Sequence, residues 1–260
     1  MFSTPQLLLN KFIQQNISNI HSKNTVMFLQ PQIMNNKVIG AEALVRMKNS
    51  SKIISPADFI TIAENMDKIH KIDMFILDKA CQQLKNWNDQ DMLNHITISC
   101  NMSMKTIEDA DFVSSVKNAI NTYSINPKLL KLEITETILV KNIQSVLLKL
   151  MEIQKLGISI SLDDFGTGNS SLSYLKDFPI NQLKIDKSFI DNVLLDSKHL
   201  SIVKFIIGLT KELSIDLIVE GVENQLQVDL LQNIGCNIFQ GYHYGKPMKV
   251  KDFEYFLTAN

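Results

Sequence analysis

Short runs in which apolar residues cluster or alternate with polar ones are separated along this chain by longer stretches with helical spacing. Residues 26–30 form a short apolar strand, and the Asn35–Asn36 turn leads directly into a second strand at 38–46. A turn this short permits only an antiparallel pair, because parallel strands need a crossover. The pattern then changes. Residues 56–65 and 68–86 read as helices, the first with Pro56 at its start. Strands are predicted at 96–101, 131–135, 158–164, 182–186, 216–220 and 237–240. Between them lie helices at 109–122, 142–156, 198–213 and 224–233, with Gly157 and Gly235 as stop signals, and a last helix from about Lys251. Eight strands, the later six alternating with helices, predict an α/β fold: a TIM-like (α/β)8 barrel with an antiparallel first strand pair. A short leading helix suggests a division into an N-terminal helical segment over 1–24 and one large unit over 25–260.

In such barrels the chemistry sits at the C-terminal ends of the strands. Several predicted strands finish there on polar residues. The second carries Glu42 and Arg46, the third ends at Asn101, and the fourth carries Glu133 and Glu136. The fifth ends at Asp163–Asp164, the sixth carries Lys184 and Asp186, the seventh ends at Glu220 with Glu223 beyond it, and the eighth ends at Gln240. Taken singly, each acid is best read as a solvated loop residue or a helix cap. Taken together, carboxylates and an amide oxygen around one barrel mouth form a hard-oxygen site suited to Mg²⁺ or Mn²⁺. Without a cation between them such acids would repel each other. Of the five histidines only His243 falls near these strand ends, which argues against zinc.

Composition narrows the setting. Lys plus Arg number 26 and Asp plus Glu 27, a net charge of −1 that offers no global attraction to a nucleic acid polymer or an anionic membrane. Cys81, Cys100 and Cys236 are odd in number and form no CxxC pair, which points to a reducing compartment rather than a disulfide framework. The N-terminus shows no signal-peptide pattern and no apolar run is long enough for a membrane span, so the expected location is the cytoplasm.

The strand ends lie in strings that resemble the EAL-domain family of cyclic di-GMP phosphodiesterases. EALVR at 42–46 matches the namesake motif, and ISCNMS at 98–103 resembles the family's strand ending in Asn. LEITET at 132–137 is similar to its E-x-T-E segment, and LDDFGTGNSSLSYL at 162–175 to its DDFGTG loop. LKIDKSFI at 183–190, VEGVEN at 219–224 and QGYHYGKPM at 240–248 follow in the family's order, so the resemblance runs over roughly residues 25–255. Glu-Ala-Leu alone carries no weight; DDFGTG followed by LKID and VEGVE is highly specific.

The resemblance implies metal-dependent hydrolysis of cyclic di-GMP to linear pGpG by the 25–260 unit. It implies that Glu42, Asn101, Glu133 and Asp163 bind one metal, and that Asp163, Asp164 and Glu220 help hold a second. Lys184 contacts the attacking water, and Glu42 and Glu220 serve catalysis through the metals. Gln30, Arg46 and Gln240 line the nucleotide site, Glu136 anchors the DDFGTG loop, and Glu223 supports the metal site. The same resemblance implies a homodimer through the DDFGTG region. The 24 residues before the first strand are too few for a sensor domain, which leaves expression, a protein partner or the dimer as the means of control. The chain departs from the family at Met47, Asn169 and Cys100, none of them a ligand position. The rival readings are a receptor that binds cyclic di-GMP without cleaving it, a protein-interaction module, and a different barrel phosphodiesterase; receptors usually show broken motifs, and here EAL, E-x-T-E and DDFGTG are intact.

Overall fold

Strand residues two apart face the same way, and in this chain the two faces differ in kind. On the strand Leu130–Thr135, Leu130, Leu132 and Ile134 are buried on one side, while Lys131, Glu133 and Thr135 share the other. A computed structural model, which describes residues 4–20, 23–50, 52–90, 93–136, 143–166 and 175–259, gives the consequence. The apolar faces pack outward under a layer of helices, and the polar faces fill the inside of a closed barrel.

The strands are β1 (Thr25–Met34), β2 (Lys37–Asn49), β3 (Lys52–Ile54), β4 (Thr97–Asn101), β5 (Leu130–Thr135), β6 (Ser159–Phe165), β7 (Gln182–Ile185), β8 (Asp216–Val219), β9 (Ile238–Gln240) and β10 (Met248–Lys249). The helices are α1 (Thr4–Ser18), α2 (Pro56–Asn65), α3 (Ile69–Asp89), α4 (Met104–Glu108), α5 (Phe112–Tyr123), α6 (Ile143–Lys155), α7 (Lys187–Ile190), α8 (Ser197–Leu213), α9 (Gln225–Asn233) and α10 (Val250–Ala259). Hydrogen bonding runs β1-β2-β4-β5-β6-β7-β8-β9 and back to β1, which closes eight strands into the expected barrel. From β2 onward neighbours are parallel, while β1 is antiparallel to both β2 and β9. The Asn35–Asn36 turn that reverses the chain has φ of 51° and 60°, left-handed values that asparagine tolerates best among residues with a side chain.

Three details differ from the sequence expectation. β1 continues past Pro31 to Met34, although proline normally bars a strand from the middle of a sheet. On the side away from β2, β1 pairs with β10 at Phe28–Leu29 and with β9 from Gln32 onward, so Pro31, which has no N–H to give, falls in the gap. The helix expected over 109–122 is α5 and begins at Phe112, and a short helix that was not expected, α4, precedes it, with the Ser103 side chain capping it at Thr106 N. Strands β3 and β10 are additions of three and two residues.

The outward strand faces, including Ile98, Leu132, Ile160, Leu162, Leu183 and Phe239, form one core with Leu77, Leu84, Val116, Leu150, Ile206 and Leu231 from the helices. Each such side chain contributes about 1.5–3 kcal/mol when fully buried. A second cluster joins Ile13 and Ile17 of α1 to Met47, Phe59 and Ile72, so Met47 is a packing residue between α1 and the barrel's flank. Cys100 also faces the core and is fully buried. No helix among the described residues is long and apolar enough to cross a membrane.

Candidate active site

The barrel interior is polar from floor to mouth, unlike the branched apolar filling common in such barrels. Near the floor, Lys131 Nζ donates to Gln182 Oε1 at 2.8 Å, and Ser161 Oγ reaches the same oxygen at 3.3 Å. Higher up, Gln32 Nε2 donates to Gln240 Oε1 at 3.0 Å, which turns the Gln240 amide so that its own nitrogen donates to Glu42 Oε2 and to Gln30 Oε1. Asn101 Nδ2 donates to the other Glu42 oxygen at 2.8 Å. Glu42 is thus fixed by amides from β4 and β9, which lie on either side of its own strand in the barrel wall.

Lys184 on β7 is fully buried and stands at the centre of the mouth. Its Nζ lies 2.6 Å from Glu220 Oε1, 2.7 Å from Glu133 Oε2, 3.3 Å from Asp163 Oδ1 and 3.6 Å from Glu42 Oε2. Burial lowers the affinity of an ammonium for its proton, but four carboxylates outweigh it and hold Lys184 well above the ordinary lysine value. Burial also lifts Glu220 far above the usual carboxylate range and Glu133 to about 7, with Lys184 opposing and the neighbouring acids adding to the rise. Glu42 goes the other way. Burial pushes it up, yet Lys184, Gln240 and Asn101 together bring it below its ordinary value.

The remaining residues singled out from the sequence stand around this centre. Asp164 follows Asp163 on left-handed backbone with φ of 55°, and its carboxyl is raised by burial and then by Asp163 and Asp186. Glu136 is buried and accepts a 2.9 Å hydrogen bond from Gly166 N, at the start of the DDFGTG loop. Gln30 donates to Gly245 O at 3.1 Å. Arg46 lies with its guanidinium 5.7 Å from the centre of the Phe28 ring and donates to Val45 O at 2.8 Å. Glu223 forms an exposed ion pair with Lys187. Asp186 is a helix cap, its side chain accepting from Ser188 N at 3.0 Å. His243 is turned edge-on to Tyr244, 4.8 Å between ring centres. Residues 167–174, with Asn169 and the rest of the DDFGTG loop, lie outside the described residues.

Two cavities open beside the cluster. One of about 220 Å³ is lined by Gln30, Glu42, Glu220, Glu223, Gln240 and Tyr242. Its wall depends on Gly241, where a Cβ would fall 2.1 Å from Val222 O, so only glycine lets the chain after β9 lie against the chain after β8. The other, about 380 Å³ and mostly apolar, runs between β2, α2 and α3 past Leu44, Arg46, Pro56, Ile60 and Met102. Asp73 of α3 lines it and is buried. Its Oδ2 accepts from Ser103 N at 2.9 Å, Ser103 Oγ at 2.7 Å and Thr106 Oγ1 at 2.6 Å, and burial raises its carboxyl. Neither Asp73 nor Gln32 stood out in the sequence. Gln32 was reachable, two residues beyond Gln30 on the same strand face; Asp73 sits within an ordinary amphipathic helix pattern.

The donor set suits a hard divalent cation. It is all oxygen, and Glu133 Oε1 is buried with no hydrogen-bond partner, an acceptor left over for something cationic. Among the described residues no three acids, cysteines or histidines are spaced as a ready-made metal cage. The carboxylates are instead set at 2.6–3.6 Å around an ammonium, wider than the roughly 2.0–2.1 Å that Mg²⁺ requires.

Fold and mouth together define an α/β barrel with one reversed strand and a buried acid–lysine cluster at its C-terminal end. This chain belongs to the EAL domain family, whose profile matches residues 13–247. It is 39% identical over 241 residues, 92% of its length, to the signaling protein YkoW of Bacillus subtilis. It is 35% identical over 88% of its length to the bifunctional diguanylate cyclase/cyclic di-GMP phosphodiesterase MucR of Pseudomonas aeruginosa. The chain spans 30% and 34% of those two relatives. Among solved structures, the PaMucR phosphodiesterase in complex with c-di-GMP superposes with a TM-score of 0.88 at 34% identity, covering 94% of this chain and 99% of that one. The EAL enzyme Bd1971, bound to cAMP and cyclic di-GMP, gives a TM-score of 0.90 at 32% identity, covering 97% of this chain and 69% of that one.

Proposed function

We propose that this chain hydrolyses cyclic di-GMP to linear pGpG at the barrel mouth, with Mg²⁺ or Mn²⁺ held by the acid cluster. The observation that carries the reading is the convergence of Glu42, Glu133, Asp163 and Glu220 on Lys184, with Asn101 on Glu42. The relatives named for cyclic di-GMP phosphodiesterase activity support it.

Glu42, Asn101, Glu133 and Asp163 would hold one cation, and Asp163, Asp164 and Glu220 a second. When bound, such cations neutralise a phosphate oxygen and lower the pKa of water. Gln32 and Gln240 keep Glu42 aimed inward. Lys184 favours the deprotonated form of a water beside it and stabilises negative charge as it develops. Arg46, which lines the larger cavity, pairs with a phosphate oxygen in this reading. That cavity takes one guanine base, where Asp73 Oδ1, the oxygen not taken by Ser103 and Thr106, accepts from the N1–H, N2–H edge of the base. Gln30 and Gln240 line the opposite side of the nucleotide, Glu136 holds the DDFGTG loop against β5, and Glu223 supports the second metal position.

The reading includes pairing of two copies through the DDFGTG region, within the cytoplasm. Sedimentation of the purified chain tests the pairing. The activity is tested by incubation with cyclic di-GMP and Mg²⁺ followed by chromatography: pGpG is expected, and unchanged cyclic di-GMP bound to the protein would make it a receptor instead.

A further inference from the structure

The cation already present in the acid cluster is Lys184. Four carboxylates, from β2, β5, β6 and the residue after β8, share its single ammonium at distances from 2.6 to 3.6 Å, and its side chain is 1% exposed. That cage fits an ammonium and is too wide for Mg²⁺, which draws its oxygens to about 2.0–2.1 Å. A divalent ion drawn in by the same carboxylates would stand close to Nζ, and two cations that near each other in a buried site repel, so each weakens the hold of the cluster on the other. Glu133 makes the competition concrete. Its Oε2 is bonded to Nζ at 2.7 Å, while its Oε1 is buried without a hydrogen-bond partner. One carboxylate therefore serves the lysine with one oxygen and leaves the other for a metal, which would stand next to Nζ and be repelled by it.

We infer that Lys184 is the resident counter-ion of the cluster and competes with the divalent metal for it. The lysine thereby sets how tightly metal is held and keeps the barrel mouth stable while the metal is away. The inference rests on the metal reading above and adds to it, since it gives Lys184 a part in the binding equilibrium separate from any part at the attacking water. The physical reasons are two. Removing one partner from a buried ion cluster leaves uncompensated charge and is strongly destabilising. The flexible four-carbon stem of a lysine lets its ammonium shift to make room for a metal, still within reach of a water at the site, without moving the strand that carries it.

The experiment is Mn²⁺ titration by calorimetry at pH 8, where protons compete least, with melting temperatures in chelator and in Mn²⁺. It uses the whole chain as parent, Lys184→Met and Lys184→Arg. Lys184→Met is expected to bind Mn²⁺ roughly tenfold or more tightly than the parent. It should also melt lower in chelator and gain more degrees from Mn²⁺ than the parent gains. Lys184→Arg keeps the charge and should bind no more tightly than the parent. Equal or weaker Mn²⁺ binding by Lys184→Met overturns the inference and leaves the metal reading standing. Absence of Mn²⁺ binding in the parent and both variants overturns both. Should Lys184→Met fold in neither condition, the parent decides: with ¹⁵N-labelled lysine, the Lys184 ammonium resonance should shift or disappear as Mg²⁺ saturates the protein. A resonance unmoved at saturation overturns the inference.

Discussion

Glu136 Oε2 accepts the backbone N–H of Gly166 at 2.9 Å, tying the end of β5 to the end of β6. Gly166 has φ of 94°, and a Cβ there would lie 3.0 Å from the Phe189 ring, so any side chain at this turn would be strained. The carboxylate supports a turn that leads directly out of Asp163 and Asp164. Glu136→Ala removes one charge-assisted hydrogen bond, a stability loss of about 1.5–3 kcal/mol at most. Turnover should fall further than that loss explains, by roughly tenfold or more, because the two aspartates lose their fixed position. Turnover, metal affinity and melting temperature measured together check this; unchanged turnover would remove Glu136 from the site.

Lys184→Ala should lower kcat by roughly a hundredfold or more, the scale expected of a positioned acid–base or electrostatic group. Cyclic di-GMP binding should survive, since the proposed nucleotide contacts from Gln30, Arg46, Asp73 and Gln240 remain. Single-turnover hydrolysis beside calorimetric titration of cyclic di-GMP in Ca²⁺ separates the two. A variant that folds normally yet binds no nucleotide would make Lys184 a substrate-binding residue.

Asp73→Asn should weaken recognition of the base. A site built to accept hydrogen bonds discriminates strongly when its acceptor is altered, and an amide presents a donor where a carboxylate presents only acceptors. The expected result is a KM for cyclic di-GMP raised roughly tenfold with kcat changed far less. Steady-state kinetics supply the test, and an unchanged KM would place the base elsewhere.

The Glu133 carboxyl, lifted to about 7, makes stability depend on pH in chelator. Between its ordinary value of 4.5 and about 7 the folded protein keeps a proton that the unfolded chain gives up. By linkage, this group contributes stability that is present at low pH and lost as pH rises through about 7. The melting temperature of the parent minus that of Glu133→Gln should therefore increase as pH is lowered from about 7.5 to 5. A difference that stays flat or shrinks would contradict the raised value.

Much of this could be read from the chain because inward and outward strand residues differ so sharply. Glu133 and Lys184 alternate with apolar neighbours on their strands and Glu220 directly follows one, so period-two geometry sets the first two on the faces opposite Leu132 and Leu183. The barrel and its reversed first strand followed from the Asn35–Asn36 turn and the alternation after it. The features that were not legible depend on contacts between distant segments. The first strand is expected only over 26–30 because nothing local signals the gap between β10 and β9 that lets β1 run on past Pro31. β3 and β10 are too short to show periodicity. Asp73 is marked only by the donors Ser103 and Thr106, thirty residues on, and the ring of acids around Lys184 becomes visible only when five strands are brought together.

The central claim is that this barrel cleaves cyclic di-GMP with a divalent metal held by oxygen ligands. The most direct test is product formation by protein dialysed against chelator and then supplied with single cations. The account predicts no pGpG in excess chelator, recovery with Mg²⁺ or Mn²⁺, and little with Ca²⁺, whose longer and looser coordination misplaces the attacking water. Full turnover in excess chelator would contradict it.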